Sequence, residues 1–81
     1  MRDLIVSKIN EVLEQFDKTE HYEDIDDNAI LLETGLDSLG FAILVALLEE
    51  ELDLDPFQLM DDPIYPTTFV EFLSIYEKYS D

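Results

Sequence analysis

The residue best placed to take part in chemistry is Ser38, within Glu33-Thr34-Gly35-Leu36-Asp37-Ser38-Leu39. A glycine turn delivers this serine to the point where a long apolar helix is expected to begin. Serine acts as a nucleophile when an adjacent base takes its proton, and the segment contains no such base. The single histidine, His21, falls in an acidic loop and is expected to be exposed there. The segment also lacks the Gly-x-Ser-x-Gly elbow of serine hydrolases. Ser38 is therefore not expected to be catalytic, and a serine modified by another enzyme suits the pattern better. Serine also caps helices well, but so does Asp37 beside it, and capping does not require both. In the first turn the hydroxyl stays exposed in the positive field of the helix end, which favours an attached phosphate. Residue types alone leave capping and modification both open.

A second pattern, Asp24-x-Asp26-x-Asn28, has the spacing of the first three ligands of a calcium-binding helix–loop–helix. The sixth position is Ala29 where glycine is needed, and the twelfth is Gly35 where a bidentate glutamate is needed. No metal site is expected, and the acidic loop is better described as solvated.

The elements that must position Ser38 follow from hydrophobic spacing. Leu4, Ile5, Ile9, Val12, Leu13 and Phe16 recur at helical period and predict a first helix from Asp3, as N-cap, to about Phe16. Residues 17–37 predict a long acidic connection. Ile25, Ala29, Ile30, Leu31 and Leu32 should pin it to the core, with a short helical turn, and Gly35 should end it. The second helix is expected from Asp37 or Ser38 to Leu52. Its apolar residues, Leu39 and Phe41 to Leu48, nearly surround it. Full burial of one such helix is hard in a small domain, so part of its surface is expected to meet a partner. Glu49, Glu50 and Glu51 follow at the negative end of the helix dipole, where they cost stability.

Asp55-Pro56 reads as an N-cap with proline at the first helical position, opening a short third helix to about Met60. Asp62-Pro63 and Tyr65-Pro66 are expected to break it. Thr68-Phe69-Val70-Glu71 fits a capping box opening the last helix, with Phe69, Phe72, Leu73, Ile75, Tyr76 and Tyr79 on its inner face. No strand pattern is present. The expected fold is all-α: a four-helix bundle of three long helices and a short third one, in a single domain over residues 1–81.

Composition limits the functions open to such a bundle. Apolar residues form 47% of the 81-residue chain, enough for a packed core. Cysteine is absent, which excludes disulfides and thiolate metal sites and suits a reducing cytoplasm. Asp and Glu number 21 against four Lys and Arg, giving a net charge of −17. That sign disfavours nucleic acid and anionic membranes, favours a soluble monomer, and points to basic protein partners. Met1-Arg2-Asp3 leads into an amphipathic stretch rather than a signal peptide. The longest apolar run, Phe41 to Leu48, falls well short of the ~20 residues that span a bilayer.

At Gly35-Leu36-Asp37-Ser38-Leu39 the chain resembles the acyl carrier proteins of the phosphopantetheine-binding carrier family. Leu44-Val45, Leu48-Glu49-Glu50-Glu51-Leu52 and Thr67-Thr68-Phe69 are similar to further segments of that family, and size, acidity and helix order agree along the chain. The resemblance implies a four-helix bundle of acyl-carrier type and a non-enzymatic role. It also implies that Ser38 receives 4′-phosphopantetheine from coenzyme A through a phosphopantetheinyl transferase. The arm would carry acyl or aminoacyl groups as thioesters in fatty-acid, polyketide or related specialised biosynthesis. Docking to an acyl- or aminoacyl-activating ligase, a condensing enzyme or another acyl-processing enzyme is then assigned to Asp37, Leu39, Phe41, Ala42, Ile43, Ala46, Glu49, Glu50 and Glu51.

Two positions depart from the fatty-acid carriers, which usually place an acidic residue two after the serine and a glutamate five after it. Here these are Gly40 and Ile43, so a specialised stand-alone carrier with a dedicated partner is expected. The competing function is an unmodified acidic adaptor that binds a protein through its apolar second helix. Intact mass after treatment with coenzyme A and a transferase separates the two.

Overall fold

Four helices form in the computed structural model, which describes residues 1–60 and 65–79. They are α1 (Arg2–Gln15), α2 (Ser38–Leu52), α3 (Pro56–Leu59) and α4 (Phe69–Tyr79), with a 3-10 turn at Leu31–Glu33 in the long connection. The expected all-α bundle with one short helix is what the chain forms. Among the described residues, the one departure from helix and loop is an isolated antiparallel bridge between Ile30 and Thr68. The break expected at Asp62-Pro63 lies outside the described residues.

Helix α1 starts two residues earlier than the pattern suggested. Met1 is its N-cap and makes no side-chain capping bond, so Asp3 sits inside the first turn instead of capping it. It still places a negative charge at the positive helix end. Ile5, Ile9, Val12 and Leu13 are buried as expected, but Phe16 is 37% exposed and Val6 is buried in its place. The reason is local: the helix ends at Gln15, and Asp17 turns left-handed with φ 58°. The amide of Lys18 returns to the Leu13 carbonyl at 2.9 Å and that of Asp17 to Glu14 at 3.1 Å. This reversal satisfies the last carbonyls and swings Phe16 away from the core.

The core joins α1 to Leu44 and Leu48 of α2 and to Phe69, Phe72, Leu73 and Tyr76 of α4, each 7% exposed or less. Ile25, Leu31 and Leu36 reach it from the connection. Each such side chain contributes about 1.5–3 kcal/mol by leaving water. Rings of Phe41, Phe57, Phe72 and Tyr76 meet between α2, α3 and α4 at centroid distances of 4.9 to 6.3 Å. The Tyr76 hydroxyl is buried with no hydrogen-bond partner among the described residues. Burial pushes its pKa up, and the charges of Asp55 and Glu49 push the same way.

The start of α4 is closed by hydrogen bonds. Glu71 accepts from the amides of Thr67 (2.9 Å) and Thr68 (3.0 Å), while the Thr68 hydroxyl accepts from the Glu71 amide (3.3 Å). The Phe69 amide donates to the Ala29 carbonyl and the Val70 amide to that of Asp27. The expected capping box is therefore present, and the connection supplies partners for the two donors that the box leaves over. At α3, Asp55 caps through Phe57 N–H at 3.1 Å with Pro56 in the first turn, again as expected.

Arg2 fastens the connection from the other side. Its guanidinium donates to Asp24, Asp27 and the Ile25 carbonyl and lies 4.9 Å from the centre of the Phe69 ring. The Ile25 amide and this guanidinium hold the Asp24 carboxyl below the usual carboxylate range. Two acids of the expected solvated loop are thus paired with Arg2, and the Asp26 carboxylate accepts from the Asn28 amide. No metal-binding cluster occurs among the described residues. Of the apolar residues expected to anchor the loop, Leu32 instead stands 59% exposed.

Candidate functional site

Ser38 is the first residue of α2, and the chain is steered to it by successive local constraints. Gly35 has φ 107°, where a side chain is strained. A Cβ there would also meet Leu13 Cδ2 at 3.0 Å and the Glu20 carboxyl carbon at 3.2 Å. Leu36 then turns into the core. Asp37, in extended conformation, caps the helix: its Oδ1 accepts from the Gly40 amide at 2.7 Å.

That division of labour frees the serine. Asp37 does the capping, and Ser38 is exposed with no hydrogen bond to its hydroxyl among the described residues. The amides of Ser38 and Leu39, the first two of the helix, are also unbonded among these residues, so two donors and the positive helix end lie beside the hydroxyl. His21 is exposed, as expected, and lines the acidic groove between α1 and the connection, whereas Ser38 borders a different groove.

A chain of contacts invisible in the motif holds this turn in place. The Asn10 side chain pairs with both backbone groups of Tyr22, at 2.7 and 2.9 Å. The Tyr22 hydroxyl donates to the Thr34 carbonyl at 2.8 Å, and the buried Thr34 hydroxyl donates to Leu31 at 2.6 Å. Asn10 thus links rigid α1 to the residue before Gly35. Asn10, Tyr22 and Thr34 were not singled out from sequence. Their partners lie 12 residues away along the chain for the two loop contacts, beyond the reach of any local pattern.

The proposed partner surface divides in two. With about 3.6 residues per turn, Leu39, Ala42, Ala46, Glu49 and Glu50 share one exposed side of α2, adjoining Asp37 and Ser38. Leu39 is 58% exposed. Phe41 is only half-exposed, because its ring makes edge contacts with Phe57 and Phe72. Ile43 is half-buried and packs against the core. Glu51 turns the other way, toward α1, where its carboxylate lies 3.8 Å from Lys8 Nζ. Lys8 also pairs with Glu11 at 3.2 Å and offsets part of the charge crowded at the end of α2.

Gly40, two residues after the serine, is buried. A Cβ there would meet Leu36 Cδ2 at 3.2 Å, Asp37 Oδ1 at 3.3 Å and Val12 Cγ1 at 3.5 Å. Its smallness lets α2 approach α1 closely just where the cap is made. An acidic side chain at this position would crowd the Asp37 carboxylate.

No curated protein and no solved structure matches the chain. The family model described as the phosphopantetheine attachment site matches residues 3–63. Proteins of that family carry covalently attached 4′-phosphopantetheine and act as acyl carriers rather than catalysts. With well over half of its length inside the match, and a helical bundle presenting Asp37-Ser38-Leu39 at a helix start, the chain belongs to the phosphopantetheine-binding carrier family.

Proposed function

We propose that Ser38 is the attachment point of 4′-phosphopantetheine and that the chain shuttles acyl or aminoacyl groups between the enzymes of a specialised biosynthetic route. The observation that carries this reading is the unbonded, exposed Ser38 hydroxyl beside the two free amides of α2. The site fits the group, because a phosphodiester at Ser38 Oγ places its negative charge at the positive end of a helix. In loading, a base on the transferase takes the hydroxyl proton while Ser38 Oγ bonds to the phosphorus next to the pantetheine of coenzyme A. The diphosphate bond to the adenosine portion breaks and 3′,5′-adenosine bisphosphate leaves. Once attached, the group supplies a thiol that holds cargo as a thioester.

The rest is positioning and recognition. Asn10, Tyr22 and Thr34 hold the turn so that the hydroxyl faces outward. Leu39, Ala42 and Ala46 give a partner an apolar strip, and Asp37, Glu49 and Glu50 flank it with charge for Lys and Arg on the partner. Transferase and cargo-processing enzymes would share this face in turn, and a tethered cargo makes weak, quickly reversed docking sufficient. Ile43, partly exposed where fatty-acid carriers usually place a glutamate, leaves the face less charged, which favours a dedicated partner such as an activating ligase or a condensing enzyme. We place the function in one domain over residues 1–81. The support is that α4 lies past the family match yet supplies Phe69, Phe72 and Tyr76 to the shared core. The absence of cysteine suits the cytoplasm. Among the described residues no helix is long and apolar enough to cross a membrane.

The test is intact mass after incubation with coenzyme A and a broad-specificity transferase. The chain should gain the mass of the phosphopantetheinyl group, and Ser38→Ala should gain nothing. Loading that persists in Ser38→Ala would sink the assignment.

A further inference from the structure

Beside Ser38 lies an apolar groove of about 340 Å³, bordered by Leu32, Ser38, Phe41, Ala42, Tyr65 and Pro66. Its size is at the small end of the ~300–1,000 Å³ typical of ligand pockets. The larger groove along α1, about 470 Å³, is walled by Asp3, Glu11, Glu14, His21 and Glu23 and has the opposite character. Two walls of the apolar groove are exposed side chains, Leu32 at 59% and Tyr65 at 77%. They leave apolar surface in water that an occupant of the groove would cover. Ser38, the proposed attachment point, is itself part of the wall.

We infer that this groove seats the dimethyl-bearing segment of the arm attached at Ser38, and so holds the thiol end outside the helical bundle. The inference rests on Ser38 being the attachment point. It follows from the chemistry of 4′-phosphopantetheine. Next to its phosphate comes a methylene and then a quaternary carbon with two methyl groups, the one branched apolar piece of the arm. Beyond that carbon come a hydroxyl, two amides and the thiol. The two amides need several hydrogen-bond partners, and beyond Ser38 the lining offers one polar side-chain group, the Tyr65 hydroxyl, among the apolar side chains of Leu31, Leu32, Phe41, Ala42 and Pro66. The dimethyl carbon needs none, and its short tether to Ser38 Oγ keeps it at the groove. Phe41, which lines the groove, is in edge contact with the rings of Phe57 and Phe72. The arm therefore meets a wall of packed rings, and its amides and thiol remain in solvent.

The experiment uses isotope-labelled protein loaded from unlabelled coenzyme A, with intact mass as the check on loading. Isotope-filtered NMR should show contacts from the two arm methyls to the Tyr65 ring and to the Leu32 and Ala42 methyls. In Leu32→Asn and Tyr65→Ser the mass gain should persist, while these contacts disappear and the arm methyls move to the shifts of free pantetheine. Full loading with arm methyls already at free shifts in the unsubstituted protein overturns the groove assignment and leaves Ser38 standing. Absence of the mass gain overturns both, and the mass spectrum tells the two failures apart.

Discussion

Two helix starts in this molecule solve the same problem in opposite ways. At α4 every early donor is taken: Thr68 and Glu71 cap each other, and Phe69 and Val70 donate to the connection. At α2 a single carboxylate, Asp37, satisfies one amide, while the Ser38 hydroxyl and the amides of Ser38 and Leu39 stay free. The α4 start is built for stability, since unsatisfied helix-end groups gain nothing by remaining open. The α2 start gives up such bonds beside Ser38, the residue proposed above as the attachment point. Its stability comes instead from behind, through Leu36 buried in the core, Gly40 close to Val12 of α1, and the Asn10–Tyr22–Thr34 chain. A helix start can be rigid without being saturated.

The change expected to break this contrast most severely is Gly35→Ala. A left-handed conformation costs an L-residue about 1–2 kcal/mol, and the new Cβ would also press on Leu13 Cδ2 at 3.0 Å. We expect a loss of at least ~2 kcal/mol in denaturant unfolding. Loading should slow as well, because the displaced turn carries Asp37 and Ser38. A variant as stable as the parent would mean that the turn is not what fixes the serine.

Next in size is a matched pair at the two starts. Thr68→Ala removes a capping hydroxyl and should cost about 1 kcal/mol. Ser38→Ala removes a hydroxyl with no partner and should change stability by less than ~0.5 kcal/mol. Thermal or urea unfolding of both variants gives the comparison directly. Equal losses would show that Ser38 is a cap after all.

These same starts show what sequence makes legible. Asp55-Pro56, Asp37 and Thr68 with Glu71 were readable because capping is chemistry between residues two or three apart. Asp37 beside Ser38 showed that both need not cap, but residue types left capping and modification open, and only the Asp37–Gly40 bond assigns the cap. Burial along α1 and the connection was readable only in part. A helical stripe does not announce where its neighbour ends, so Phe16 and Leu32 were expected inside and Val6 was passed over. Arg2, bonded to residues 22 to 25 positions away, carries no local signal at all. Glu51 sits in a run of three identical residues, and only the turn of the helix against Lys8 separates it from Glu49 and Glu50.

The smallest expected effect concerns acid. The Thr68 and Thr67 amides, in that order of effect, hold the Glu71 carboxyl below the usual carboxylate range. A carboxyl with a depressed folded pKa contributes stability that is complete above its unfolded value and is lost as pH falls through the folded one. The contribution of Glu71 should therefore be full near neutrality and should fade below about pH 4. Net stability is a poor gauge of this, because protonating other carboxylates relieves the repulsion of a chain with net charge −17. Hydrogen exchange at the Thr67 and Thr68 amides reads the cap alone. Their protection factors in the parent should drop between pH 5 and 3 toward those of Glu71→Ala, which should be low throughout. Protection that stays constant across that range would show that the start of α4 is closed by its contacts with the connection, and that Glu71 adds nothing the free start of α2 lacks.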